Sequence, residues 1–191
     1  FEGGIRVPTF VEWPGKVPAG TITDTMASSS DYFPTALAAA GVDYLSPNPL
    51  DGENILPLII GQNSQRKKTL FFQSHGTFVT MDQDYKLIKI DSGAYSSGAA
   101  ERRSFPLDEW LLFDMRSDSG ETTNIAAQHP ERVEQMAKRF AEWDDSCRNS
   151  YLGHDYPAEL GFDASGLTYK NDAKPKSKTK TKKKNKKNKA Q

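Results

Sequence analysis

Few side chains in this sequence could do chemistry unaided. Among 191 residues there are three histidines and one cysteine. His75 is the most informative, lying in the link Ser74-His75-Gly76 with Gln73 just before it. An imidazole and a carboxamide at a hairpin tip can hydrogen-bond a polar ligand, and loops held by a rigid sheet are where binding residues concentrate. The competing reading is an exposed turn histidine. His129 precedes Pro130 and reads as a helix-cap residue. His154, near Asp145 and Asp155, reads as solvated, although one histidine with scattered carboxylates could also take a metal. Cys147 falls on the apolar side of a helical stretch, which points to packing. A lone cysteine excludes an internal disulfide framework and a cysteine-rich zinc site. Asp114, Asp118 and Glu121 gather around a turn where calcium could bind. They lack EF-hand spacing, and capping and turn formation account for Asp118 and Glu121. Glu2 and Arg6 flank Gly3-Gly4 and could pair to brace that turn.

These groups must be positioned by elements legible as patterns. Gly3-Gly4 permits a tight turn, and Ile5, Val7, Phe10 and Val11 then favour a strand that Pro8 interrupts. Ser28-x-x-Asp31 resembles a capping box and opens a predicted helix to Gly41, with an apolar stripe of Tyr32, Phe33, Ala36, Leu37 and Ala40. Ile55–Ile60 reads as one or two buried helical turns. The period then changes to two. Thr69–Gln73, Thr77–Met81 and Tyr85–Ile90 predict an antiparallel meander, and Trp110–Met115 a fourth strand. Between them, 91–108 is a Gly/Ser/Arg-rich loop. Glu121–Gln128 reads as a short helical passage. The longest helix runs from Pro130 to about Ser150, with Val133, Met136, Ala137, Phe140 and Cys147 on one face and Trp143 at its edge.

The formal charge of zero conceals two unlike parts. Residues 1–170 hold 15 Lys and Arg against 24 Asp and Glu, a net of −9. Residues 171–191 hold ten lysines and one aspartate, a net of +9. Lysine runs attract phosphate or sulfate polyanions without sequence preference. No aromatic side chain follows Tyr169, so base stacking has no platform and sequence-specific nucleic-acid binding is not expected. A disordered tail is the default for such composition. There is no run of 18 apolar residues to span a membrane.

Several blocks, in order, give the chain a family likeness. They are Glu2-Gly3-Gly4-Ile5-Arg6-Val7-Pro8 with Trp13-Pro14-Gly15; Ser30-Asp31-Tyr32-Phe33-Pro34-Thr35 ending at Ala40-Gly41; Asp51-Gly52 with Leu56-Pro57-Leu58 and Gly61; Tyr85-Lys86-Leu87; and Leu112-Phe113-Asp114 through Asp118, Glu121 and Asn124. Together they resemble the sulfatase family over about residues 2–145. Ser119, where the family usually has proline, and Asn54, where serine is common, are local departures.

The resemblance implies an alkaline-phosphatase-like α/β fold. Residues 1–64 would end the large α/β/α sandwich, 65–160 would form a small four-stranded antiparallel sheet with a packed helix, and 161–191 would be the disordered lysine-rich tail. It implies hydrolysis of aryl or carbohydrate sulfate esters, with formylglycine as nucleophile and calcium as cofactor. The nucleophile motif, C/S-x-P/A-x-R, is absent: Cys147 is followed by Arg148-Asn149-Ser150-Tyr151. A start within the first block implies a C-terminal fragment, inactive alone, whose metal ligands and catalytic lysine lie upstream; no export signal is visible in the sequence. No catalytic or metal-binding residue is expected here. In that setting His75, with Gln73, would line the sulfate-ester cleft and read the leaving group. The family implies a periplasmic or extracellular location, and a sulfated polysaccharide is an apt partner for the tail. The competing readings are a related phosphoryl hydrolase of the same superfamily and a non-catalytic polyanion-binding module.

Overall fold

The computed structural model describes residues 5–46, 49–62, 65–92, 106–157, 161, 163–167 and 169. Glu2, Gly3-Gly4, most of the 91–108 loop and the lysine-rich segment lie outside the described residues.

Period-two sequence makes one sheet. Strands β1 (Leu70–Ser74), β2 (Thr77–Met81), β3 (Tyr85–Ile90) and β4 (Trp110–Asp114) pair antiparallel in the order β1-β2-β3-β4. Phe72, Val79, Ile88 and Leu111 align across all four strands. Alternation sends Leu70, Val79, Met81, Ile88, Ile90, Leu111 and Phe113 to one face, where Met26, Leu107 and Met115 pack on them. The other face carries Leu87 and Leu112 against Met136.

The long helix covers that second face. It spans Pro130–Tyr151, with Glu131 in its first turn and Arg148 in its last, both favourable to the helix dipole. Met136 and Phe140 are its buried residues. Phe140 meets Phe78 at 5.5 Å and Trp110 at 5.9 Å, while Trp143 stacks on Phe71 at 5.4 Å. Removing a side chain such as Met136 from this layer costs about 2–5 kcal/mol. This is α3 in chain order. Preceding it, the passage expected over 121–128 is helical only at Ala126–Gln128, as a single 3-10 turn. The segment before that turn instead closes the outer edge of β4, through Asn124 Oδ1 accepting from Leu112 N–H and Ile125 N–H donating to Leu112 O.

The earlier part of the chain is less enclosed. A 3-10 turn at Ser29–Asp31 leads into α1 (Tyr32–Ala40), and α2 (Leu56–Ile59) is one turn. The capping box at Ser28 and Asp31 is present, and Gly41 closes α1 at φ 68°. Two expectations change. Residues expected as a strand over Ile5–Val11 have no sheet neighbour among the described residues, and a strand requires one to satisfy its backbone. The predicted apolar stripe of α1 does not face inward: Tyr32 and Phe33 are more than half exposed. The helix is rotated by polar anchors instead. Asp31 is fully buried, and Thr35 Oγ1 accepts from Ile55 N–H at 3.0 Å.

Candidate functional site

The β1–β2 hairpin is set by register. Ser74 pairs with Thr77, leaving a two-residue loop, and His75 and Gly76 both take the left-handed conformation, with φ of 48° and 74°. Two positive φ values give the turn whose twist suits a hairpin. Glycine accepts this freely, whereas a side chain there costs roughly 1 kcal/mol. The exposed His75 ring is held by Ser74 Oγ at 2.8 Å from Nδ1, and its Nε2 is not used in that contact. The end of β3 is fastened alongside, because Asp91 N–H donates to Gly76 O at 2.8 Å.

Gln73 precedes this tip and is half-buried. It aligns with Phe78, Lys89 and Trp110 on the side covered by α3. Its Oε1 lies 3.5 Å from Tyr169 Oη, which donates to Asp144 at 2.8 Å. Lys89 Nζ sits 5.2 Å from the Phe78 ring centroid, 5.4 Å from that of Trp110 and 3.7 Å from Asp91. His75 and Gln73 thus share one corner of the sheet, the first at its tip and the second beside Tyr169.

The remaining sequence candidates have local roles. Cys147 is half-buried, and burial, with Asp51 and Asp144, pushes its thiol up, away from a reactive thiolate. His129 forms no side-chain cap; its ring packs edge-on to Tyr85 at 6.3 Å. His154 Nδ1 lies 3.3 Å from Asn149 Oδ1. Arg6, expected beside Glu2, reaches Asp24 at 3.3 Å, with both groups exposed.

The acidic turn is already occupied by protein donors. Asp114 accepts from Arg116 N–H, and Asp118 from the N–H groups of Thr122 and Thr123. Glu121 corrects the expectation of a cap or turn role. It adopts φ 55° and is buried with Lys86, their charged atoms 2.7 Å apart. Because these carboxylates are spent on backbone and lysine, the turn does not suit calcium, and among the described residues no three His, Cys, Asp or Glu side chains gather as ligands.

Sequence reasoning also missed a second buried pair. Arg66 donates to both carboxylate oxygens of Asp31. Asp31 further accepts from Ser28 N–H and from Glu53 N–H. Burial works against its ionisation, but the bonds from Arg66, Glu53 and Ser28 prevail and hold the carboxyl below its ordinary value. Around it, Lys68 Nζ donates to Leu50 O and Gly52 O, and Glu53 accepts from Lys67 and Lys68 N–H. The signal available in sequence was weak: a capping aspartate that also had to satisfy a distant arginine.

Comparison with known proteins places this arrangement. The model described as N-sulphoglucosamine sulphohydrolase, C-terminal, matches residues 1–146. Arylsulfatase A of Bos taurus is 34% identical over 165 residues, covering 75% of this chain and 32% of the relative. Arylsulfatase G of Rattus norvegicus is 28% identical, covering 72% and 28%. N-acetylgalactosamine-6-sulfatase of Homo sapiens is 37% identical over 79 residues, covering 41% and 15%. The chain therefore spans about a third or less of the length of these relatives. The crystal structure of Ps i-CgsB superposes with a TM-score of 0.55 at 22% identity, over 69% of this chain and 27% of that one, a likeness of fold. The family match covers the sheet, its hairpin, both buried ion pairs and most of α3, and on that ground the chain belongs to the sulfatase family, in the region that forms its C-terminal part.

Proposed function

We propose that the whole protein is a sulfuric ester hydrolase acting on aryl or carbohydrate sulfate esters, and that this region shapes its cleft. The observation carrying the reading is the family match along residues 1–146. The relatives' names, arylsulfatase and N-acetylgalactosamine-6-sulfatase, support the substrate class. In this reading residues 1–64 complete the large α/β domain, and the sheet and α3 over 65–160 form the smaller one.

His75, with Gln73, lines the sulfate-ester cleft. With Nδ1 engaged by Ser74 Oγ, Nε2 can donate to a sulfate or leaving-group oxygen in the tautomer that carries its proton there. In such enzymes formylglycine supplies the nucleophile and calcium neutralises sulfate oxygens; both belong to parts of the protein beyond this chain. Location is periplasmic or extracellular, and the lysine-rich run favours sulfated polysaccharide as partner through counterion release.

Sulfate release by the whole protein from an aryl sulfate and from 6-sulfated N-acetylgalactosamine, set against the matching phosphate esters, tests this. The expected result is higher kcat/KM on the sulfates. A preference for phosphate, or no sulfate release, overturns it.

A further inference from the structure

Three lysines near the sheet are held in different ways. Lys86 is buried against Glu121 at 2.7 Å, and Lys68 Nζ donates to Leu50 O and Gly52 O. Lys89 Nζ makes no hydrogen bond to any described residue. It is set instead between two rings, 5.2 Å from the Phe78 centroid and 5.4 Å from that of Trp110. Its nearest carboxylate is Asp91, at 3.7 Å, beyond hydrogen-bond length. Asp108 feels the same charge, but its carboxylate accepts from Ser92 N–H at 2.9 Å.

An ammonium carries three donors and no acceptor. Ring faces attract the cation without completing its hydrogen bonds. The Lys89 side chain is 30% exposed, so an acceptor can still reach it from solvent. The rings hold its stem in place, which lowers the ordering cost of binding an anion there.

Register gives the location. Gln73, Phe78, Lys89 and Trp110 form the last row shared by all four strands before the β1–β2 turn that bears His75. Neighbouring strands stand about 4.8 Å apart, so Lys89 lies roughly 10 Å across the sheet from Gln73. A ligand that meets His75 and Gln73 therefore presents a different group to Lys89. Asp91, whose backbone is fastened to Gly76 O, is the half-exposed counter-charge that such a group must displace.

We propose that Lys89 is a specificity-determining residue whose ammonium takes an anionic group, sulfate or carboxylate, on the sugar unit next to the one that is desulfated. This rests on the sulfatase reading above and on His75 bordering the cleft. The anion follows from the unused donors of Lys89, and the neighbouring unit follows from its distance across the sheet.

Amine footprinting of the whole protein tests the site without turnover. Acetylation of Lys89, read by mass spectrometry, should slow severalfold with a sulfated octasaccharide or with oligoglucuronate, and stay unchanged with neutral oligoglucose. Protection by only one of the two anionic sugars names sulfate or carboxylate as the group. Steady-state turnover then asks whether the site serves the reaction. N-acetylgalactosamine 6-sulfate linked to an anionic sugar is compared with the same unit linked to neutral galactose. Lys89→Met, which keeps an unbranched stem between the rings, should raise KM for the anionic pair about tenfold with kcat kept, as for losing one hydrogen bond to a charged group. Its effect on the neutral pair should be far smaller. Lys89→Arg should keep most of the preference. Asp91→Asn should lower KM for the anionic pair, which a purely packing role for Lys89 does not produce.

Equal acetylation of Lys89 with and without the anionic sugars overturns the proposal, as does an unchanged KM in Lys89→Met. Equal protection by neutral oligoglucose would overturn it too, showing steric cover and not charge pairing. Footprinting uses the parent protein, so a Lys89→Met chain that failed to fold would not remove the test. Protection without sulfate release by the parent would leave the anion site standing and overturn the hydrolase reading.

Discussion

Residues 65–157 bury most of their apolar side chains, chiefly among themselves, whereas residues 5–62 leave many of theirs in solvent. Leu87, Ile88, Leu112 and Phe113 are fully enclosed, while Phe10 and Ile22 are each 92% exposed and Leu45 90%. The sheet and α3 supply two apolar layers, one on each face, so this part can hold itself together. The first part relies on a polar seam. Asp31 with Arg66, and Lys68 with the carbonyls of 50–52, join it to the start of β1. Packing secures one region and a few long-range ion pairs and hydrogen bonds secure the other.

The largest expected effect lies within the closed region. Lys86→Met removes the buried cation that faces Glu121 in a dry site, which costs about 3–5 kcal/mol in denaturant unfolding. Replacing both with apolar residues should return most of that loss. If the single change costs less than a surface pair does, the site is not dry.

A change at the seam should be distinguishable by its reach. Asp31→Asn removes the partner of a buried arginine and should cost about 3 kcal/mol. Hydrogen exchange should quicken over 28–62 well before it does over the sheet, and uniform loosening would erase the proposed difference between the regions. The same variant sharpens the acid response. Asp31 titrates below its ordinary value in the folded chain, so the unfolded chain binds more protons in acid. Its stabilising contribution is complete above the unfolded value of about 3.9 and is lost as pH falls through the folded value. Stability against pH should therefore be flatter below pH 4 in Asp31→Asn than in the parent.

Two glycines give smaller, local tests. A Cβ on Gly52 would stand 2.0 Å from Ser30 O, so Gly52→Ala must push the seam's backbone apart, at a cost of about 1–3 kcal/mol. Gly76→Ala puts a side chain on the left-handed backbone of the hairpin, which costs about 1 kcal/mol.

What sequence could show follows from the range of each interaction. The hairpin and the Ser28–Asp31 cap were legible because their signals lie within three or four residues. The face of α3 was legible because burial repeats with the helical period. Tyr85–Ile90 was readable as a strand, yet nothing in it said that Lys86 is enclosed and Lys89 partly open, since the two point to opposite faces. Asp31 looked like a cap and is one, but its tie to Arg66 spans 35 positions and leaves no local trace. Tyr32 and Phe33 misled for a related reason. Apolar spacing marks a face of a helix but does not tell whether that face is enclosed. Tyr169 could not be found at all from pattern, because it sits in irregular chain and its partners on β1 and α3 are distant in sequence.

The central claim is that the corner at His75 faces substrate, and kcat/KM of the whole protein on its best sulfate ester tests it most directly. His75→Ala and His75→Asn, the second suited to the left-handed turn, should each lower kcat/KM about ten- to a hundredfold, as expected for losing a hydrogen bond to a charged group, with unfolding stability little changed. Unchanged kcat/KM in both variants would contradict the account and leave His75 as an exposed turn residue.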